Sequence, residues 1–226
     1  MKSTYQQHNI YFEGGDDYCV IKSLLLFFLG QPLNLTDDLE DKPIHELSFQ
    51  HPNQQNVVMT FILEGYANNK TWARWKERIS SMNKRGISYF WIKDTDFKTK
   101  PSEKKLSDFT KDLAKRLNAI ECRVIPVQPE IEGWVSAVAI DPDVQNSIFM
   151  NDERGLRQFK RITQREHTED VTKELLDTVI EKSSQYANRK EFLTVCVTKA
   201  NWENAKEYNR TLEYFYSLLE KTICIL

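Results

Sequence analysis

Four short runs of apolar, aromatic and β-branched residues are each followed by a stretch with helical spacing: Asn9 to Phe12, Val57 to Leu63, Ile87 to Ile92 and Glu121 to Val127. Runs this short and this continuously apolar read as strands buried on both faces rather than as half-exposed strands of an antiparallel sheet. The helical stretches between them are Tyr18 to Leu29, Thr71 to Lys84 with Trp72, Trp75, Ile79 and Met82, Ser102 to Leu117 with Leu106, Phe109, Leu113 and Leu117, and Ile131 to Ile140. Strand and helix in alternation predict an α/β fold, a mostly parallel sheet with helices on both faces, over residues 1–140.

The remainder reads differently. Asn34 to Asn56 is polar, holds Pro43 and Pro52, and predicts an irregular connection. Beyond Asp141 the pattern predicts a mainly helical extension, residues 141–226. Within it Asp141 to Asp170 reads as loop or weak helices, Val171 to Tyr186 and Trp202 to Leu219 as helices, and Phe192 to Val197 as strand or buried helix.

Composition excludes several classes. With 26 aromatic residues (5 Trp, 9 Tyr, 12 Phe) in 226, the chain can bury a large core. The longest apolar run, Leu24 to Leu29, is far short of the roughly 20 residues of a membrane span, so no membrane role is expected. Residues 1–9 are polar and do not read as a secretory signal. Cys19, Cys122, Cys196 and Cys224 lack zinc-ligand spacing and read as reduced thiols of a cytoplasmic protein. His8, His45, His51 and His167 have no ligand spacing and are expected at the surface, whereas Trp72, Trp75 and Trp134 are expected in the core. Lys+Arg total 31 against 33 Asp+Glu, a net charge of −2, so the chain is not globally basic. Its cations are nonetheless clustered, from Lys98 to Arg116 and from Arg154 to Arg165. Either run suits a local anion-binding patch or a solvated helix face.

Acids follow three of the strand candidates: Glu13 and Asp17 the first, Asp94 and Asp96 the third, Glu130 and Glu132 the fourth. In a parallel sheet, ligands bind beyond the carboxyl ends of the strands, which would bring these carboxylates to one edge. Such a cluster repels itself unless a cation neutralises it, and hard oxygen donors suit Mg²⁺ or Mn²⁺. In an extended segment Asp94 and Asp96 would leave from the same side. Asp17 would face the same ion or cap the helix, and Gly14 with Gly15 would let a phosphate approach a tight turn. Taken singly, each acidic group is equally explained as a helix start or polar turn. Gly14-Gly15 is not a dinucleotide fingerprint.

Ile10-Tyr-Phe-Glu-Gly-Gly-Asp-Asp17 resembles the opening TOPRIM motif, a hydrophobic strand followed by Glu-Gly-x-x-Asp. Ile92-Lys-Asp-Thr-Asp-Phe97 resembles its Asp-x-Asp motif. Val127-Gln-Pro-Glu-Ile-Glu-Gly-Trp134 is similar to the Glu-Ile-Glu segment of TOPRIM domains in OLD-type nucleases. Small stand-alone TOPRIM proteins paired with ABC-type ATPases in phage defence share these features. The resemblance covers about residues 8–140 and implies a TOPRIM-like (Rossmann-like) domain there. It further implies a metal-dependent nuclease cutting DNA or RNA, tRNA included, with two Mg²⁺ or Mn²⁺ ions and an ATPase partner. Glu13 would bind metal or act as general base, Asp94 and Asp96 would be metal ligands, and Asp17, Glu132 and Glu130 would help hold the second ion. A basic residue further on would stabilise the phosphate, with Lys182, Arg189 and Lys190 the candidates. The connection leading to Val57 is longer than in the compact pattern. A homodimer belongs to the expected partners; a non-catalytic module of the same fold and a nucleotide-binding or phosphotransfer domain are the other readings. The last lacks a phosphate-cradling Gly/Lys loop.

Overall fold

The computed structural model describes residues 4–33, 44–51, 54, 56–65, 81, 88–97, 99–117, 122–163 and 168–224. Its centre is a five-stranded sheet: β1 Thr4–Phe12, β2 Ile44–Gln50, β3 Val57–Gly65, β4 Ser88–Asp94 and β5 Cys122–Val127. The strand order is β2-β3-β1-β4-β5. β1 pairs parallel with β3 and β4, and β4 with β5, so only β2 runs antiparallel, at the edge beside β3. The fold is α/β with a mostly parallel, Rossmann-like sheet.

Pairing register sorts the strand residues into two faces. Ile10, Phe12, Phe61, Leu63, Phe90, Ile92, Ile125 and Val127 join one buried apolar cluster. Against it lie α1 (Gly15–Phe28), α3 (Ile131–Ile140) and α9 (Arg210–Cys224). Phe215 of α9 stacks on Trp134 of α3 at 5.6 Å and meets Phe90 edge-on at 6.2 Å. Tyr11, Tyr89, Trp91 and Val124 are buried on the opposite face. There α2 (Glu103–Leu117) packs against β5. Residues 10–12 of β1, 89–92 of β4 and 124–127 of β5 are thus removed from water on both faces, which is why these segments read as unbroken apolar runs.

Five further helices complete the described elements: α4 Pro142–Ile148, α5 Glu153–Ile162, α6 Lys173–Lys182, α7 Arg189–Lys199 and α8 Trp202–Ala205, with a 3-10 turn at Lys206–Tyr208. Phe149, Phe159, Leu176, Phe192 and Trp202 from this part share the cluster built by α1 and α3, so one apolar core crosses residue 140.

Several expectations need correction. The connection over 34–56 contains a strand, β2, whose Leu47 and Phe49 are half-buried and whose Phe49 ring meets Phe61 edge-on. Its period-2 pattern is hidden by flanking prolines and acids. Where loop or weak helices are expected over 141–170, the described residues hold two capped helices, α4 and α5. Asp141 accepts the amides of Asp143 (3.0 Å) and Val144 (3.4 Å), and Asp152 accepts that of Gly155 (3.1 Å). Such caps satisfy amides that a short helix cannot bond internally. Of the two alternatives expected for Phe192 to Val197, strand or buried helix, the structure has the second: the segment lies within helix α7 with Phe192, Leu193, Cys196 and Val197 buried. The single helix expected from Trp202 breaks at Asn209, whose side chain caps α9 through the amides of Thr211 (3.0 Å) and Leu212 (3.2 Å). His8 and His51 are buried, not at the surface. His8 stacks on Phe61, and burial, then Arg123, lowers its pKa to about 4. His51 Nε2 lies 2.6 Å from the Ile223 carbonyl. Trp134 is core, as expected. The helix expected over 71–84, with Trp72 and Trp75, falls outside the described residues apart from Ser81, and so does His167. No helix among the described residues is long and apolar enough to cross a membrane.

Candidate active site

The carboxyl ends of β1, β4 and β5 open onto a cavity of about 480 Å³. Six of its ten lining residues are acids (Glu13, Asp16, Asp17, Asp94, Glu130 and Glu132), two are cations (Lys173 and Arg189), and Gly14 and Ile131 complete it. Parallel pairing brings the acids together: Tyr11 lies beside Trp91, so Glu13 and Lys93, two residues further on, come out side by side. Lys93 Nζ forms an ion pair with Glu13 Oε1.

Asp17 does two things at once. Its Oδ2 accepts the amides of Glu13 and Gly14, both at 3.0 Å, closing the first turn of α1, and it also lines the cavity. Burial raises its pKa to about 6, with Glu13 and Asp16 adding to the rise and the two amides opposing it. Gly14 has an ordinary extended backbone, φ −126°, and a Cβ there would meet only Asp17 Oδ1 at 4.0 Å. The turn therefore does not itself require glycine at 14.

Asp94 is the most perturbed acid of the cavity. Burial, then repulsion from Asp17, Glu13 and Glu132, raises its pKa to about 9 against the opposing effect of Lys93. Among the described residues its carboxylate has no hydrogen bond or ion pair. Two residues on, the chain turns away. Thr95 is buried, donating its hydroxyl to Gln128 and its amide to the Val127 carbonyl at 2.9 Å. Asp96 then adopts φ 53°, a left-handed conformation that Asp tolerates better than most residues. It is exposed and outside the cavity lining, so Asp94 and Asp96 do not leave from one side. The strand ends at Asp94, and period-2 geometry ends with it.

The third pair comes from the start of α3. Glu132 is 5% exposed, and burial, with help from Glu130 and Asp17, raises its pKa to about 7 against the effect of Arg189. Glu130 is half-buried and accepts the Lys173 amide at 2.7 Å, which ties the start of α6 to the cavity.

Behind these loops lies a buried polar hub. Gln128 is fully buried and precedes a cis peptide bond to Pro129. Its side-chain amide donates to the Phe97 (3.0 Å) and Glu169 (2.9 Å) carbonyls, and its backbone amide to Thr211 Oγ1 (3.2 Å). Asn209 Nδ2 donates to the Gln128 carbonyl at 3.3 Å, and Trp134 Nε1 to Thr211 Oγ1 at 2.9 Å. Satisfied buried networks hold loops in one arrangement. This one fixes the loop after β4 against the loop after β5.

Residues that carry no clear mark in the sequence complete the site. Arg189, at the start of α7, approaches Glu132 Oε1 at 3.5 Å, Asp16 Oδ2 at 3.3 Å and Asp177 Oδ1 at 3.3 Å. Of the three cations that the motif resemblance leaves open, only Arg189 lines the cavity; Lys182 and Lys190 do not. Lys93, Asp16 and Lys173 carry no signal except adjacency to a motif or helix start. Among the described residues, no three His, Cys, Asp or Glu side chains stand together as a group able to hold a metal ion. Arg189 and Lys93 occupy the nearest oxygens of Glu132, Asp16 and Glu13, and two amides hold Asp17.

No protein-family model matches this chain, and no curated protein matches it in sequence.

Proposed function

We propose that the protein is a metal-dependent nuclease of TOPRIM type, hydrolysing phosphodiester bonds of DNA or RNA. The observation that carries this reading is the convergence of Glu13, Asp17, Asp94 and Glu132, from three strand ends, on one cavity. Their chemistry suits a hard divalent cation: all donors are carboxylate oxygens, and Asp94, pushed to about 9, is an acid in want of a counter-charge. Glu13, Asp17, Asp94 and Glu132 are the residues that would hold Mg²⁺ or Mn²⁺. When bound, such an ion supplies charge stabilisation at the phosphoryl oxygens and lowers the pKa of water.

The chain's own groups do the rest. The amino ends of α1 and α3 reach the cavity at Gly14 and Ile131, and helix amino ends favour anions. Lys93 and Arg189 offset part of the acidic charge, and Arg189 and Lys173, which line the cavity, are the cations a phosphate entering there would meet. The Gln128 hub keeps Asp94 and Glu132 in register. An ABC-type ATPase partner and a role in antiphage defence belong to the same proposal and rest on the motif resemblance alone.

The test is cleavage of mixed DNA and RNA with Mg²⁺ or Mn²⁺ by wild type, Glu13→Ala and Asp94→Ala. Metal-dependent cutting lost in both variants is expected; equal activity in all three ends the proposal. A second reading, a non-catalytic module, is favoured by the ion pairs of Lys93 with Glu13 and of Arg189 with Glu132, which already neutralise part of the cluster. Calorimetric titration with Mn²⁺ separates the two: no binding, or binding unchanged in Asp94→Ala, selects the module.

A further inference from the structure

The second basic run, from Arg154 to Arg161, lies in α5, and its charges are laid out on one side. Arg154, Arg157, Lys160 and Arg161 are exposed, while Gly155 and Phe159 are buried. At about 100° per residue the four cations fall within an arc of about 120°, opposite Phe159. Glu153, the helix's single acid, sits in its first turn and falls within the same arc, one turn before Arg157. Among the described residues none of the four cations forms an ion pair, and Arg157 Nε meets only the Glu153 carbonyl, at 3.3 Å.

The helix dipole does not account for this layout. Lys160 and Arg161 lie in the last turn, where cations are favoured, but Arg154 and Arg157 lie toward the amino end, where they are not. The other basic helix differs: on α2, Lys104, Lys111, Lys115 and Arg116 alternate with exposed Glu103, Asp108 and Asp112. On α2 two acids, Asp108 and Asp112, share the arc of about 120° that holds Lys104, Lys105, Lys111 and Lys115, against one acid, Glu153, in the arc on α5, so the face of α5 is the more nearly uniform in sign.

Position adds the second argument. Ser183 and Ser184, just past α6, bond to Asp152, the cap of α5, and Gln158 Nε2 donates to Thr178 Oγ1 at 2.9 Å. The two helices therefore run antiparallel, with the carboxyl end of α5 beside the start of α6. That start is Lys173, which lines the acidic cavity. From Arg154 to Arg161 the stripe rises about 10 Å. A DNA duplex offers one phosphate per about 1.7 Å, so several lie within reach of it.

We propose that this face of α5 binds the phosphate backbone of a nucleic acid and guides it toward the cavity. The guiding role rests on the nuclease reading; the binding does not. The test is fluorescence anisotropy with a labelled DNA duplex and a labelled single-stranded RNA in EDTA, where no metal-dependent cleavage intervenes. Arg154→Ala/Arg157→Ala/Arg161→Ala is expected to weaken binding at least about tenfold and to lower the slope of log affinity against log salt by about 2 to 3. Lys104→Ala/Lys111→Ala/Lys115→Ala on α2 removes equal charge and is expected to bind as wild type does. Loss on the duplex, the RNA or both identifies the source of the phosphates and supports the proposal. Unchanged binding in the α5 variant, an equal loss in the α2 variant, or no binding by wild type overturns it. So does arginine-dependent sedimentation with phosphatidylserine vesicles in place of nucleic acid binding. A chain that binds through α5 yet never cleaves removes the nuclease reading and leaves this surface standing.

Discussion

Replacing Asp94 by Asn tests the electrostatic core of the site without any assumption about substrate. The Asp94 carboxyl titrates from an ordinary value of 3.8 in the open chain to about 9 in the fold. A folded pKa raised above the unfolded one means the folded chain binds the proton more tightly. The cost of Asp94 is therefore absent below pH 4 and grows as pH rises toward 9. At pH 8 about four pKa units separate solution from the unfolded value, a ceiling of about 5 to 6 kcal/mol at 1.36 kcal/mol per unit. The buried amide of Asn carries its own desolvation cost of about 1 to 3 kcal/mol, and mutual repulsion is shared with Asp17 and Glu132. A gain of roughly 2 to 4 kcal/mol in Asp94→Asn at pH 8 remains, vanishing or reversing at pH 4. Urea unfolding followed by circular dichroism across pH 4 to 9 measures it. Added Mg²⁺ is expected to stabilise wild type and narrow the gap, since a ligand bound only by the folded chain shifts the equilibrium toward it. A gap that does not change with pH, or a variant less stable than wild type at pH 8, would refute the picture of a half-buried, self-repelling carboxylate.

Three further outcomes are expected. Glu169 is buried between Lys100 and Arg210, both at 2.9 Å, and these partners hold its carboxyl below the ordinary 4.5. Its contribution is present above that value and lost as pH falls through the folded one. With both cations partly exposed, Glu169→Gln is expected to cost about 1 to 3 kcal/mol at pH 7 and almost nothing near pH 3, read from urea midpoints at the two pH values. Gly133→Ala places a Cβ 2.7 Å from the Gln128 carbonyl and 2.8 Å from the Thr168 carbonyl. Both are backbone atoms of the loops around the hub, so a loss of about 2 to 3 kcal/mol in urea unfolding is expected, with weaker metal binding at the cavity. Arg189→Ala is expected to raise the pKa of Glu132 further, because the guanidinium at 3.5 Å is the charge that opposes its rise; infrared titration of the carboxyl band reads this directly.

Lys93 and Arg189 give the site a dual character. They make the acid cluster tolerable in the folded chain, and they are the groups that an arriving cation or phosphate would compete with or recruit.

Local pattern in the sequence was enough for the strands and for the edge where a site would form. Apolar runs marked β1, β3, β4 and β5 as strands, although β3 alternates buried and half-buried residues and the first four residues of β1 are exposed or half-buried, and the acids beyond β1, β4 and β5 marked that edge. Capping chemistry at Asp17 was legible for the same reason, since it involves residues four apart in the chain. The charge partners of the acids came instead from packing between distant segments. Strand order placed Glu13 beside Lys93, the Gln128 hub held two loops together, and packing of α7 brought Arg189 from far along the chain to Glu132 and Asp16. The end of β4 sent Asp96 out of the cavity although its spacing from Asp94 pointed inward. Pattern reports which face a residue takes within its own element; charge partners and burial arise between elements, where separation along the chain carries no information about distance.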